Sequence, residues 1–476
     1  MKNIKELFKN MGLLTLGNLS TKLIAFFLVP LYTNILTTTE YGIYDLVNNT
    51  IAILIPFLTL NISDSVFRFV MDKESDTTEV VSYSFKIYTI GFIILLAILL
   101  INVKFAFFRI FRNYIFYFIL LYIVSSYSMI VANYARGKNQ IFDISVSGVL
   151  SSAIIILLNI LLLAIFRWGI DGYFIGNIIG IFAQCFYLTI STKIWKNIRF
   201  NHRRTNSKEL HDQMLKYCKP LMVNSVAWWI NGASDRYVIT WFCGLAESGI
   251  YSIAYKIPSI VSIFQSIFGQ AWTLFAIKEI NSTEKEKTFS KMYNYYNAMV
   301  LIACCLLVAM NKIMARFLYA KDFYMAWRYV PVLLISSMFS ALSAFSGGIF
   351  SAGKESKAVM NSSLIGATVN IILNIIFTPL IGAMGAAIAT AVSYFAVWVA
   401  RDSAMMKIIR LDYNKRQHYI SYLVIILQVA IMIWDYSAIV TCILQIVCVL
   451  VILFIYKREY ISIIHSVKSI LLKEEK

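Results

Sequence analysis

The chain has 476 residues, of which 59% are hydrophobic and 14% charged, with a mean hydropathy of +0.71. So much apolar surface cannot be hidden in one water-soluble core, and the solvent of this protein is therefore largely lipid. A net charge of +18 would suit a nucleic-acid binder, but the basic residues are dispersed between apolar runs rather than gathered on a patch, which argues against that class.

A spanning helix needs roughly 20 residues, and dividing the chain at its polar breaks predicts fourteen of them. The first six cover about 11–36, 42–70, 81–103, 113–135, 142–166 and 171–192. The next six cover about 219–243, 248–277, 290–311, 328–350, 357–380 and 383–406, and the last two 418–435 and 437–456. The opening segment is longer than a signal-peptide core and lacks a small-residue cleavage site, so it reads as a retained helix. Between helices six and seven, Lys193 to Lys219 is the densest basic stretch and reads as a linker near anionic lipid.

Orientation follows from Lys and Arg in the loops. Both termini and six loops carry 31 of the 43 basic residues, whereas the opposite loops carry eight, so both termini are expected in the cytoplasm. The remaining four, Lys22, Arg68, Arg236 and Lys256, fall inside the membrane.

A weak internal repeat spans the linker. Asn18 pairs with Asn224, Glu40-Tyr41-Gly42-Ile43-Tyr44 with Glu247-Ser248-Gly249-Ile250-Tyr251, and Phe69 with Phe275, at offsets of 206 or 207 residues. Gly137-Lys138 pairs with Gly353-Lys354, Asn159 with Asn374, and Gly172 with Gly385, at offsets of 216, 215 and 213. Each unit holds six helices, an even number, so the two are parallel repeats. The expected fold is an all-α integral membrane protein with two six-helix lobes, 1–192 and 219–410, around a central cavity. The basic linker 193–218 joins them, and 411–476 adds helices thirteen and fourteen with a cytoplasmic tail.

A charge at the bilayer centre costs about 3 kcal/mol or more, so intramembrane charges need a reason. Lys22 lies mid-helix with Asn18 on the same face; Asp64 and Arg68 stand one turn apart in the second helix. The seventh carries Asn224, Trp228, Asn231 and Asp235 along one stripe, then Arg236, and the eighth carries Lys256 before Pro258. One reading makes Lys22, Arg68, Arg236 and Lys256, with Asn18, Asn224 and Asn231, a cationic cavity for an anionic, hydrogen-bonding substrate, with Asp64 and Asp235 as candidates for ion coupling. The other makes Asp64 with Arg68, and Asp235 with Lys256 or Lys22, self-neutralising structural pairs. Trp228, Trp229 and Trp241 either stack on sugars or anchor helix ends at the interface. Pro30, Pro56, Pro258 and Pro379 would bend or break their helices, and Gly382, Gly385, Ala386 and Ala389 allow close helix contact.

The seven cysteines lack metal-ligand spacing and read as packing residues. All four histidines, His202, His211, His418 and His465, fall in segments assigned to the cytoplasm. No nucleophile constellation, paired carboxylate or nucleotide loop is present, so the chain reads as neither an enzyme nor a cofactor binder, and a membrane polysaccharide polymerase is the weaker alternative.

Pro30-Leu31-Tyr32-Thr33-Asn34-Ile35-Leu36 with Glu40-Tyr41-Gly42-Ile43-Tyr44 resembles the start of the polysaccharide-transporter branch of the multidrug and lipid-linked-oligosaccharide exporters. Ser234-Asp235-Arg236 followed by Gly249-Ile250-Tyr251-Ser252-Ile253-Ala254-Tyr255-Lys256-Ile257 resembles it more specifically, and the similarity runs over nearly the full length. These are the Wzx-type repeat-unit flippases of capsule and O-antigen synthesis. The resemblance implies an undecaprenyl-diphosphate-linked oligosaccharide, moved between leaflets of a bacterial plasma membrane by alternating access. It also implies membrane lipid, a polysaccharide polymerase and assembly proteins as partners. A cation-coupled drug exporter of the same superfamily is the main alternative.

Overall fold

The computed structural model describes residues 26–72, 75–105, 112–199, 207–353, 355–434 and 436–474. They form helices and turns without a strand among the described residues, and twelve of the helices are long and apolar enough to cross a membrane. Most of the first expected helix lies outside the described residues. The chain forms two compact units, Met1–Trp229 and Ile230–Lys476.

The first unit contains α1 (Val29–Ile35), α2 (Thr38–Leu58), α3 (Ile62–Val70), α4 (Thr77–Phe105), α5 (Ile115–Gly137), α6 (Ile141–Asn159) and α7 (Gly169–Thr192). A capping box starts α2: Thr37 Oγ1 accepts from the Glu40 amide at 3.2 Å, and Glu40 Oε2 accepts from the Thr37 amide at 2.8 Å. The expected helix over 42–70 is two helices. Pro56 sits in the last turn of α2, and Leu60 and Asn61 then adopt φ of 52° and 56°, left-handed values that end one helix before the next begins. Ile62, Val66, Val81, Ile130 and Tyr134 meet in the core of this unit. A π-helical turn, Ile160–Ile165, extends α6 before the chain reverses at Arg167 and Gly169, both with φ of 57°.

The segment read as a linker is tied to this unit. Ile194, Met214 and Cys218 are fully buried in its core. Asn197 donates to the Tyr134 hydroxyl at 2.8 Å, and the Arg199 amide donates to Ser82 at 2.9 Å. Helix α8 (Ser207–Ala233) follows, and His211 Nε2 pairs with Glu79 at 2.7 Å with its ring stacked on Tyr83 at 3.7 Å.

The second unit contains α9 (Asp235–Cys243), α10 (Leu245–Ala254), α11 (Ser259–Glu279), α12 (Lys285–Ala309), α13 (Asn311–Leu318), α14 (Val330–Ala352), α15 (Ser356–Ile381) and α16 (Ala383–Met405). It ends with α17 (Lys415–Ile433), α18 (Ala438–Ile455) and α19 (Lys457–Glu474). The expected helices over 219–243 and 248–277 are each broken, at Ser234 and across Tyr255 to Pro258.

Helix starts repeat along the chain at the offsets that the sequence repeat gave. Thr38 and Leu245 open α2 and α10 at an offset of 207; Ile115 and Val330 open α5 and α14, and Ile141 and Ser356 open α6 and α15, both at 215. The packing repeats too. A Cβ on Gly172 would meet Leu162 Cβ at 3.0 Å, and one on Gly385 would meet the Phe377 carbonyl oxygen at 2.3 Å, with Leu162 and Phe377 themselves 215 residues apart. In each unit a glycine lets two helices of a hairpin close up, which is how apolar helices gain contact in lipid.

Candidate functional site

The break after Ala233 places a charged residue pair in the interior of the second unit. Asp235 is 1% exposed and Arg236 7%. Asp235 Oδ1 accepts from both the amide and Nη1 of Arg236 at 3.1 Å. Its Oδ2 accepts from the Tyr251 hydroxyl at 2.6 Å, the Tyr255 hydroxyl at 3.0 Å and Thr390 Oγ1 at 3.3 Å. The guanidinium also donates to the Gly232 carbonyl at 2.7 Å and lies 4.5 Å over the Tyr255 ring. The three hydroxyls and the guanidinium occupy the carboxylate oxygens, and the two opposite charges cancel in place.

Polar side chains continue from this pair along α15 and α16. Ser234 donates to Asn370 Oδ1 at 3.0 Å, Asn370 donates to Thr390 at 3.3 Å, and Asn374 donates to Asn370 Oδ1 at 3.0 Å. Asn231 donates to the Ser363 carbonyl at 3.2 Å. Arg401 is 2% exposed and donates to Ser362 Oγ at 3.0 Å, Ser363 Oγ at 3.2 Å and the Ser343 carbonyl at 3.2 Å. This second buried guanidinium was counted with the cytoplasmic basic residues in the sequence, because it lies in the last turns of α16. The spacing of Thr390, Tyr394 and Arg401, four and then seven residues, puts them on one helix face and was the available signal.

The other expected site residues are distributed differently. Lys22 and Asn18 lie outside the described residues. Asp64 turns from Arg68 toward Asn61, which donates to it at 2.6 Å, and toward Asn133 at 3.5 Å. Among the described residues no ion pair joins Asp64 to Arg68, and Arg68 is exposed, so the structural pairing of these two is not formed. Asp235, expected to neutralise Lys256 or Lys22, is held by Arg236 instead. Lys256 is half-buried in the break between α10 and α11. Asn224 is half-buried, and its side-chain oxygen has no partner among the described residues. Trp229 donates to the Asn49 carbonyl at 2.8 Å, while Trp241 is 83% exposed. Among the described residues no group of three or more His, Cys, Asp or Glu is placed to hold a metal.

The fold of this multi-spanning helical bundle is similar to that of solved membrane transporters. The Lipid II flippase MurJ in an inward closed conformation matches with a TM-score of 0.70 at 16% identity, covering 94% of this chain and 99% of that one. The inward-facing conformation of a multidrug resistance MATE family transporter of the MOP superfamily matches with a TM-score of 0.66 at 13% identity, covering 83% and 94%. A MOP superfamily transporter from Pyrococcus furiosus, titled for the reverse polarity of its binding pocket, matches with a TM-score of 0.54 at 14% identity, covering 84% and 93%. In sequence, the chain is 25% identical over 202 residues to an uncharacterized membrane protein of Methanocaldococcus jannaschii, a match that spans 40% of this chain and 39% of that one. The family model described as polysaccharide biosynthesis protein matches residues 7–273. The chain belongs to that family.

Proposed function

We propose that the protein is a flippase that turns an undecaprenyl-diphosphate-linked oligosaccharide repeat unit from the cytoplasmic to the outer leaflet of a bacterial plasma membrane. The product would feed capsule, O-antigen or exopolysaccharide synthesis, with a polymerase and assembly proteins acting after it. The observation that carries this reading is the match to the polysaccharide biosynthesis family over more than half of the chain. The fold supports it: the flippase covers 94% of this chain and the multidrug transporter 83%, a difference of about 52 residues, roughly the length of a helix pair.

In this proposal both termini are cytoplasmic, and transport proceeds by alternating access. Lys22, Arg68 and Lys256 attract the diphosphate, aided by Asn18, Asn224 and Asn231, while the prenyl tail stays in lipid. Arg236 contributes through its pair with Asp235, and Asp64 and Asp235 are the carboxylates through which an ion would couple. The pairing of Asp235 also weighs against the drug-exporter alternative. A cationic drug would need an available intramembrane carboxylate, and Asp235 is engaged by Arg236 and three hydroxyls, which leaves Asp64.

A deletion strain should accumulate the lipid-linked oligosaccharide on the cytoplasmic leaflet and lose surface polysaccharide. Wild-type protein should restore the polysaccharide, and Lys22→Ala with Lys256→Ala should not, at unchanged membrane abundance. Full restoration by that double variant would remove the cationic path. Efflux of a cationic dye with no effect on surface polysaccharide would favour the drug exporter.

A further inference from the structure

Away from the Asp235 cluster, three segments of the second unit enclose an open cavity of about 860 Å³: the first turns of α12, the loop before α17 and the first turns of α19. Its lining residue Asp412 lies three positions before α17 starts, and Arg458 lies three positions after α18 ends. The cavity therefore sits where these helices leave the hydrocarbon core.

The walls are pinned together. Tyr295 and Ser462 join their hydroxyls at 2.5 Å, Tyr460 donates to the Ala298 carbonyl at 2.9 Å, and the Asp412 amide donates to Ser290 at 2.8 Å. Within the lining, Asn294 Oδ1 meets the Nε2 of the buried His418 at 3.0 Å. The charge of the lining is balanced. Lys285, Lys287, Lys291 and Arg458 supply four positive charges, and Glu284, Glu286, Asp412 and Glu459 supply four negative ones. Among the described residues none of these eight forms an ion pair.

This balance selects against two ligand classes. A bare diphosphate would meet four carboxylates, and a simple cation would meet four basic groups. A phosphate ester that also carries an ammonium group matches both signs. Its source follows from α19, which begins two residues after the last span and exposes Ile461 and Ile464 beside the basic pair Lys457 and Arg458. A helix of that composition next to a span lies in the headgroup layer.

We propose that this cavity binds the headgroup of a zwitterionic phospholipid, with the phosphate at Lys291 and Arg458 and the ammonium at Glu286 and Glu459. The test uses the purified full chain, delipidated and offered equal amounts of phosphatidylethanolamine and phosphatidylglycerol, with retained lipid read by native mass spectrometry. The wild type should retain the ethanolamine lipid about tenfold over the glycerol lipid, equivalent to about 1.4 kcal/mol. Lys291→Ala with Arg458→Ala should abolish that retention, and Glu286→Gln with Glu459→Gln should turn the preference toward phosphatidylglycerol. The single exposed substitution Lys291→Gln is a milder second variant and should weaken retention measurably at unchanged melting temperature. Equal retention of the two lipids by the wild type, or a preference that survives every variant, would overturn the proposal. Displacement of the lipid by an equal concentration of soluble glycerophosphoethanolamine would overturn the lipid source and assign the site to a soluble phosphate ester.

Discussion

Asp235 and Arg236 are neighbours in the chain, and their adjacency was legible in the sequence. What they bind was not. Tyr251 and Tyr255 come from 16 and 20 residues on, and Thr390 from 155 residues on, so the hydroxyls that occupy the Asp235 carboxylate depend on how helices pack. Helical spacing predicted Asn224, Asn231 and Asp235 on one stripe of one helix, which the break at Ser234 interrupts, and Arg401 was hidden by its place near a helix end. A buried pair behaves asymmetrically on substitution. Removing one partner leaves an uncompensated charge and costs about 3–5 kcal/mol, while neutralising both removes the desolvation cost as well. Arg236→Ala should therefore lower stability by about 3 kcal/mol or more, and Asp235→Asn with Arg236→Gln by clearly less. Thermal unfolding in detergent of Asp235→Asn, Arg236→Gln and the double variant that combines them closes the cycle and gives the coupling directly. Additive losses would mean that the pair is not energetically linked.

At the level of elements, the helices were legible because lipid-facing segments must be apolar for some 20 residues. The breaks within them were not. Hydropathy runs on through Leu58, Leu60 and Ile62, so nothing in composition announces the left-handed backbone at Leu60 and Asn61. The prolines gave half of the signal: Pro56 and Pro258 sit at or beside breaks, whereas Pro379 stays inside α15. The repeated glycine contacts were better encoded, since Gly172 and Gly385 were already paired by the sequence repeat. At Gly385 an added methyl group would lie 2.3 Å from a backbone carbonyl oxygen, which no rotamer change can relieve, so α15 and α16 would have to separate. Gly385→Ala should cost about 1–3 kcal/mol. Gly269→Ala is the control, because nothing lies within 4 Å of the position its Cβ would take, and it should leave the melting temperature unchanged. Equal melting of both variants would show that the α15–α16 contact tolerates expansion.

Over the whole molecule, the helical class was accessible because recurrent apolar spans are written along the whole sequence, whereas the family was accessible only through resemblance, carried by the local motifs around Pro30 to Tyr44 and Ser234 to Ile257. The first cation expected in the membrane, Lys22, lies outside the described residues, so the case for an anionic cargo rests on the family, with Lys256, Arg68 and the buried Arg401 consistent with it. The charge bias also fixes an expected topology. Reporter fusions at both termini should read cytoplasmic, and an insertion at Arg167 should read external; the opposite pattern would invert the proposed direction of transport. That direction carries an energetic consequence. Moving negative charge outward across a membrane that is negative inside is favoured by about 2.3 kcal/mol per charge per 100 mV. Proteoliposomes containing the protein and a fluorescent prenyl-diphosphate sugar should therefore move the lipid faster toward the positive side when a potassium gradient with valinomycin imposes the potential, and slower when the gradient is reversed. A neutral prenyl sugar lacking the diphosphate should show no such dependence. If the diphosphate lipid moved at the same rate under both polarities, the charge would be balanced by a coupled ion during transport, and Asp64 and Asp235 would become the first residues to substitute.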